Sequence, residues 1–344
     1  MAVWRLDLYD RVGATLKKQG LPFLACSARW VLNGPGALEA DFDLYADFGA
    51  ELPEPGRHEL KLLRDGVVVW AGPIWEADVD PDQETVKLTA EGLWSWLRSR
   101  VVTENLHYTS VAQQEIAWGL IAHTQAQTDG ALGLVQGAHS GSSVARTRHY
   151  CGRDRPNIAD AVEAFTALDD GFDFEIDPAT RAFNTWSPQR KPATGIALDG
   201  TKVDLMPYRL SARDLVTYVT GRGEGDCAPI LADVSDATLA ASYGRRQVAV
   251  DVRGDTTAEV QAEAREELRA GKRVRHDQEI RFRDGGTGAP AWSSLELGGT
   301  LMVSDDRGYA TYSKTLRIVE RSVLLTNETP TVAYVGLVLS SAVD

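Results

Sequence analysis

A pattern of alternating apolar and polar residues occurs twice in this 344-residue chain, with the two copies 244 positions apart. The first copy reads Ile74-Trp-Glu-Ala-Asp-Val79 and the second reads Ile318-Val-Glu-Arg-Ser-Val323. A period of two is typical of a strand with one covered face. The repeat therefore predicts two related small β-barrels or strongly curled sheets, one near each end of the chain. Val79 and Val323 are expected to occupy equivalent positions and to point into the two cores.

Each copy also follows a strand–turn–strand signal, at residues 60–70 in the first and 299–308 in the second. Asp65-Gly66 lies between two apolar runs, and Gly accepts the positive φ that a tight hairpin turn requires. The same order of signals in both places favours a true repeat over a chance match.

The signals divide the chain into four regions. Residues 1–100 are rich in strand signals, residues 101–199 carry helix and hairpin signals, residues 200–272 hold strands and a lone helix, and residues 273–344 contain the second copy. The predicted fold class is mainly β with α+β insertions. Two related small β-barrel domains bracket a helix-plus-hairpin insert domain, and the strands with the lone helix link to the second barrel.

Besides a short helix at residues 91–100, three amphipathic helices are predicted, each opened by a capping side chain: residues 111–125 after Ser110, residues 157–168 from Asn157, and residues 255–270 from Asp255 or a following Thr. The second helix runs into a predicted β-hairpin at residues 171–186. The third has a thin apolar stripe, so it is expected to be solitary in its region and to lie on a surface.

The formal net charge of −13 argues against a primary nucleic-acid binder, which would carry a basic patch. Acidic residues are concentrated between Asp41 and Glu84, where twelve Asp and Glu stand against three Arg and Lys. Two interpretations stay open. The stretch is either a solvated outer face, or an acidic surface that repels phosphates from a channel wall or docks a basic partner.

No apolar run approaches the roughly 18 residues that a membrane-spanning helix needs. The N-terminus carries Asp7 and Asp10 where a secretory signal would be apolar, so synthesis in a cytoplasm is expected. Cys26, Cys151 and Cys227 are odd in number and far apart, so no disulfide framework is predicted. Small buried fillers are the preferred interpretation of these cysteines.

No catalytic, cofactor or metal motif is complete. His58-Glu59 lacks the second His of a zinc-protease helix, and His149-Tyr-Cys151 has no partner pair at metal spacing. Gly221-Arg-Gly-Glu-Gly225 lacks the spacing of a dinucleotide fingerprint. Asp169-Asp170 and Asp305-Asp306 fall in predicted turns, where Asp is expected for backbone reasons. We therefore predict no catalytic, cofactor-binding or metal-binding residue, and no enzyme.

Four features carry a resemblance to the tail-hub proteins of tailed bacteriophages of the siphophage type, also called minor tail, tail-tip or baseplate-hub proteins. They are the turn at residues 33–38 with the hairpin at 66–74, the helix opening at 153–158, the helix at 256–270 followed by a charged strand, and the apolar-glycine step at 295–303. The resemblance covers nearly the whole chain.

The resemblance implies a homotrimer in which two barrels per subunit form a pseudo-sixfold ring that matches a sixfold tail tube. It implies a place at the tail tip of the virion, after assembly in the host cytoplasm, with the distal tail protein, the tape-measure protein and tail fibre or tip proteins as partners. DNA would pass through the channel without sequence-specific binding. Related hubs often continue into a lysin or fibre, whereas this sequence stops at Asp344, so that activity is expected on a separate protein.

The leading interpretation is thus a structural hub, a joint and channel without turnover. Two alternatives stay open. One is a cell-wall hydrolase that uses unrecognised carboxylates on a β-scaffold. The other is a carbohydrate-binding module that displays its Trp residues on a surface.

Overall fold

The computed structural model of the chain is mainly β, as predicted. It describes residues 2–49, 52–168, 170–187, 193–200, 203–223, 230–252, 257–271, 275–307, 310–326 and 334–341. The strands are β1 (Trp4–Asp10), β2 (Leu16–Lys18), β3 (Phe23–Val31), β4 (Ala37–Asp43), β5 (His58–Arg64), β6 (Val67–Asp80), β7 (Thr85–Glu91), β8 (Leu106–Ala112), β9 (Val135–Gly141), β10 (Ala145–Tyr150), β11 (Asp173–Ile176), β12 (Ala182–Ser187), β13 (Ala193–Asp199), β14 (Asp204–Ser211), β15 (Tyr218–Gly223), β16 (Ile230–Ser235), β17 (Gln247–Val252), β18 (Arg275–Arg283), β19 (Thr300–Arg307), β20 (Ala310–Thr326) and β21 (Tyr334–Ser341). The helices are α1 (Gln113–Gln125), α2 (Ile158–Thr166), α3 (Ala237–Tyr243) and α4 (Thr257–Gly271), with short 3-10 helices at Arg11–Gly13, Leu93–Ser99 and Trp292–Ser294.

Among the described residues, thirteen strands form one continuous sheet. Its main path runs β14-β18-β21-β20-β3-β4-β7-β6-β5-β1-β2, and β19 joins β20 to β13. Within the described ranges this order does not close on itself. The expected pair of closed barrels is therefore seen as two halves of a single sheet, and the predicted domain boundaries stay predictions.

The two halves repeat one arrangement of six strands. The hydrogen-bonded order is β3-β4-β7-β6-β5-β1 in the first half and β14-β18-β21-β20-β19-β13 in the second. Both halves bulge at the same point, between Ile74 and Glu76 in β6 and between Ile318 and Glu320 in β20. A bulge sets two residues opposite one and bends the strand. The predicted internal repeat is confirmed in its strand order and in this local detail.

Val79 and Val323 are equivalent by register, because each faces a Val on the next strand, Val86 and Val335 respectively. Their burial differs greatly: Val323 is 1% exposed and Val79 is 45% exposed. The prediction that both point into a core is therefore wrong for Val79. The reason lies in the flanking strand, because β3 covers this part of β20. In the described residues, β5 stops pairing with β6 at Pro73 and no strand replaces it.

One apolar core is shared by both halves of the sheet. Trp292 of the second half stands between Trp4 and Trp30 of the first, with edge-to-face ring contacts at 5.4 and 5.3 Å. Such pairs contribute roughly 0.5–1.5 kcal/mol beyond the burial of apolar area. The two halves are consequently packed as one unit.

A second core fills the helix-plus-hairpin region, where α1 and α2 pack with the 3-10 helix at Leu93–Ser99 and with β11 and β12. Its centre is aromatic, and the ring of Trp94 lies 4.2 Å from that of Phe174 on the hairpin. The predicted hairpin at residues 171–186 is confirmed by the antiparallel β11–β12 pair.

The helix caps agree with the sequence only in part. Asn157 caps α2 as predicted, and its side chain accepts hydrogen bonds from the N–H groups of Ala159 and Asp160. α1 begins at Gln113 without a side-chain cap, so the Ser110 cap is wrong. Ser110 instead lies in β8, which pairs with β10.

A three-stranded sheet, β16-β15-β17, is covered by α4. The predicted stripe of α4 is confirmed, since Val260, Ala264 and Leu268 are buried. Gly221 of β15 permits this contact, because a Cβ there would lie 2.9 Å from a Val260 methyl and 3.0 Å from its carbonyl oxygen. Gly221 therefore serves helix packing in β15. The predicted cap Asp255 lies outside the described residues.

α4 is not solitary, because α3 precedes it with Asp236 as a side-chain cap. α3 buries no residue among those described. It has no apolar stripe, so the periodicity that reveals most helices was missing. No helix in the described part of the chain is long and apolar enough to cross a lipid bilayer.

Candidate functional site

The motifs weighed for catalysis occupy structural positions. His58 accepts a backbone hydrogen bond of 2.9 Å at Nδ1, while the neighbouring Glu59 is fully buried against Arg181. His149 stacks on His107 with ring centroids 3.9 Å apart. Across the ranges that the structure describes, no group of three or more His, Cys, Asp or Glu is placed to hold a metal ion.

One of the two carboxylate pairs is placed differently from the prediction, while Asp170 of the other lies in a turn as predicted. Asp305 and Asp306 lie in β19 opposite Tyr312 and Thr311, so the predicted turn at this pair is wrong. The β19–β20 ladder continues to the pair Arg307–Ala310. Asp170 forms an ion pair with Arg146. Asp169 lies outside the described residues.

Two of the three cysteines are described, and both are free thiols. Cys26 is 1% exposed, as expected for a buried filler, whereas Cys151 is half-buried. Burial, together with the smaller effect of the nearby Asp41 carboxylate, raises the pKa of the Cys26 thiol to about 12. Cys227 lies outside the described residues.

We expect native Cys26 to resist alkylation at pH 8, because the thiolate is the reactive form and its pKa lies far above that pH. Iodoacetamide should modify Cys26 more slowly than Cys151 by on the order of 100-fold. Peptide mapping by mass spectrometry checks this, with urea-unfolded protein as the control in which both sites react. Equal rates in the native protein would show that Cys26 is accessible.

A buried ion pair joins the sheet to the helix-plus-hairpin region. Glu59 of β5 is 0% exposed, and its Oε2 accepts a 2.9 Å hydrogen bond from Nη1 of Arg181, beside β12. Arg181 also donates 2.7 Å to the carbonyl of Leu132, and the backbone N–H of Val12 donates 3.1 Å to Glu59. Burying a charge is costly unless it is paired and hydrogen-bonded, and this network supplies both.

A second polar junction joins the hairpin to the centre of the sheet. Asp173 of β11 is fully buried and forms an ion pair with Arg317 of β20. Asn33 donates 3.0 Å to Asp173 and accepts 2.8 Å from the N–H of Phe174. Asn33 has a positive φ of 58°, which Asn tolerates better than most residues. The turn after β3 thus holds the hairpin in place.

The internal seam, defined as the antiparallel pairing of β3 with β20, joins the two halves of the sheet. It runs from Val31–Glu320 to Ala25–Thr326. Arg29 Nη1 lies 3.7 Å from Glu320 Oε2 across it. Burial raises the pKa of the Glu320 carboxyl, and the Arg29 charge opposes that rise. The seam therefore combines a backbone ladder with one cross-strand charge pair.

The acidic stretch of the sequence ends in an exposed hairpin tip. The acidic tip, defined as the carboxylates around the β6–β7 turn, contains Glu76, Asp78, Asp80, Asp82 and Glu84, all exposed. The sequence showed the concentration of acidic residues, but it did not show that five of them lie together around one hairpin turn.

Comparison with known proteins places this geometry among tail proteins. No family model and no curated protein matches the sequence. A tail protein from Neisseria meningitidis superposes with a TM-score of 0.65 at 14% identity, covering 98% of this chain and 97% of its own. The 43 kDa tail protein of prophage MuSo2 from Shewanella oneidensis gives 0.65 at 14%, over 98% of each chain. Prophage tail protein gp18 from Listeria monocytogenes gives 0.60 at 11%, over 97% of this chain and 94% of its own.

A component of the Escherichia coli type VI secretion system, described as similar to the T4 bacteriophage tail proteins gp27 and gp5, matches at a TM-score of 0.51. Its identity is 11%, and the match covers 96% of this chain and 76% of that one. The chain therefore has the fold of phage tail proteins. More particularly, three solved tail proteins share that fold over nearly their whole length.

Proposed function

We propose that this protein is a structural hub at the tip of a bacteriophage tail of the siphophage type. Three copies form a ring that closes or continues the tail tube and organises the tail tip for host attachment and DNA passage. The ring sits in the virion after assembly in the host cytoplasm and contacts the distal tail protein, the tape-measure protein and tail fibre or tip proteins. It has no catalytic activity of its own.

The observation that carries this proposal is the repeated half-sheet within a tail-protein fold. A chain with two like halves presents two like units to its surroundings, and three such chains present six. A sixfold tube ends economically on six like units, and closed rotational symmetry leaves no unpaired interface.

The tryptophans weigh against the carbohydrate-binding alternative. All nine Trp of the sequence lie in described residues, and none of them is exposed. Six are buried, namely Trp4, Trp30, Trp70, Trp94, Trp96 and Trp292. A sugar platform needs an aromatic face open to solvent, so these residues support a packing role.

The hydrolase alternative needs a carboxylate pair in a cleft. The two buried carboxylates at the junctions, Glu59 and Asp173, are each bound to an Arg. The acidic tip is open to solvent on one strand hairpin. This arrangement favours binding and assembly over turnover.

Native mass spectrometry with negative-stain imaging tests the proposal. We expect a species of three times the chain mass and ring-shaped particles, and no release of soluble fragments from peptidoglycan or polysaccharide. A chain that stays monomeric, both in solution and in assembled tails, contradicts the ring. Release of fragments that a single carboxylate substitution abolishes contradicts the absence of activity.

The acidic tip gives the proposed channel its electrostatic character. In the proposed ring the carboxylates at the turn itself, Asp80, Asp82 and Glu84, face the lumen, where like charge keeps DNA phosphates from binding during passage. Exposed charges act over about 8 Å at physiological salt. A ring structure with the acidic tip on the outer surface would remove this electrostatic role and leave the ring.

A further inference from the structure

Each of the two strands that form the internal seam has a counterpart elsewhere in the sheet. The repeat relates β20 to β6 and β3 to β14, so the counterpart of the β3–β20 seam is a β14–β6 seam. Within one chain this second seam is not formed, because β14 stands at one end of the strand order and β6 lies on the far side of β3.

Both counterpart edges are open in the described residues. β14 pairs with β18 on one side and with no described strand on the other. β6 pairs with β7 as far as Asp80, while its pairing with β5 ends at Pro73. In β20 the equivalent stretch has β21 on one side and β3 on the other. Exposed strand edges are templates for pairing with another chain.

The register of the repeat fixes which residues correspond across the two halves. Ile74 and Ile318, which precede the two bulges, face Ala90 of β7 and Leu339 of β21. One residue further on, Glu91 and Ser340 are thus equivalent. Glu91 and Ser340 are each paired, through one residue of β4 or β18, with an arginine on the strand beyond.

Glu91 faces Ala37, which faces Arg29 of β3. In the second half Ser340 faces Asp277, which faces Arg209 of β14. Arg209 is therefore the counterpart of Arg29. Glu76 follows its bulge as Glu320 does, so the cross-strand pair Arg29–Glu320 has the counterpart Arg209–Glu76.

We infer that β6 of one copy pairs antiparallel with β14 of a second copy, over residues 76–79 and 208–211, in the register of the internal seam. This intermolecular seam places Asp78 opposite Arg209, as Ser322 stands opposite Arg29 in the internal one. Glu76 and Asp78 then both lie near the Arg209 guanidinium. The inference rests on the proposed ring and names the surface that closes it.

The exposure of Val79 follows from the same arrangement. Val323, its counterpart, is 1% exposed in a strand flanked on both sides, whereas Val79 is 45% exposed in a strand flanked on one. A second copy of β14 supplies the missing flank. Pro207, which has no N–H to donate, comes next in β14 and limits the ladder to residues 208–211. Each copy offers one edge of each kind, and such a head-to-tail contact forms a ring when the rotation between successive copies closes.

Disulfide trapping tests the register. Residues directly opposite in an antiparallel pair have Cα atoms about 4.5–5.5 Å apart, which a disulfide spans. The double variant Asp78→Cys, Arg209→Cys should therefore form a covalent trimer on mild oxidation, seen on non-reducing gels and lost with reductant. Mass spectrometry should identify the peptide that links positions 78 and 209.

The matched control is Asp78→Cys with Asp204→Cys, which has the same cysteine content on the same two strands. Asp204 lies roughly 16 Å from Arg209 along β14, too far for a bridge. We expect no covalent trimer from this control or from the unmodified chain.

The outcomes separate this inference from the proposed function. A trimer by native mass that gives no 78–209 disulfide, with the double variant folded by circular dichroism, overturns the seam and leaves the ring. Equal crosslinking of the 78–204 control also overturns the register. A monomer that gives no crosslink at the highest attainable concentration overturns both.

Discussion

Replacing Val323 with Asp should lower the free energy of unfolding by roughly 4 kcal/mol, because it buries an unpaired carboxylate. Val323 is 1% exposed and belongs to the core shared by the two halves of the sheet. The side chains described around Val323 in this core are apolar, so they offer a new carboxylate no ionic partner. Urea unfolding followed by Trp fluorescence measures the change as a shift of the midpoint.

Val79→Asp is the matched control for this prediction. It adds the same charge at the equivalent position of the repeat, where the side chain is 45% exposed. The expected loss is below about 1 kcal/mol, measured on both variants as monomers, in which no second copy covers position 79. Equal losses in the two variants would show that the two positions share one environment and that the internal seam does not bury Val323.

Replacing Arg181 with Met should destabilise the protein by about 3–5 kcal/mol, because it leaves Glu59 buried without its counter-charge. The 2.9 Å contact with Glu59 and the 2.7 Å bond to the Leu132 carbonyl are both lost. Met keeps much of the length and apolar volume of the Arg stem, so the lost charge dominates the effect. Differential scanning calorimetry and urea titration both report this change.

Arg57→Met is the control for Arg181→Met. Arg57 forms an ion pair with Glu54 at the same distance of 2.9 Å, but both side chains are exposed. Solvent screening limits such a pair to at most about 1 kcal/mol. A loss from Arg57→Met as large as that from Arg181→Met would contradict the assignment of the cost to burial.

The repeat was predictable because each copy has the same local sequence pattern. Alternation of apolar and polar residues identifies a strand, and the Ile-x-Glu step recurs where the chain makes the same bulge twice. The cap of α2 was predictable for a similar reason, since the capping oxygen of Asn157 accepts from backbone N–H groups only two and three residues further along the chain.

The buried charge pairs were not predictable from the sequence. Glu59 and its partner Arg181 are 122 positions apart, and Asp173 and Arg317 are 144 apart. No local pattern marks either pair, and an isolated Glu or Arg reads as a surface residue. The prediction that Val79 is buried was wrong for a related reason. The periodicity gives the face of a strand, but whether that face is covered depends on a strand from elsewhere.

The internal seam also sets an order of events during synthesis. β3 pairs with a strand that the ribosome makes much later, since Val31 is matched with Glu320, 289 positions further on. At roughly 5–20 residues per second, β3 waits about 15–60 s for its partner. Throughout that interval the growing chain carries a free strand edge, which a second nascent chain on the same messenger can reach. We therefore expect the spacing of ribosomes and the binding of chaperones to influence the yield of correctly paired protein.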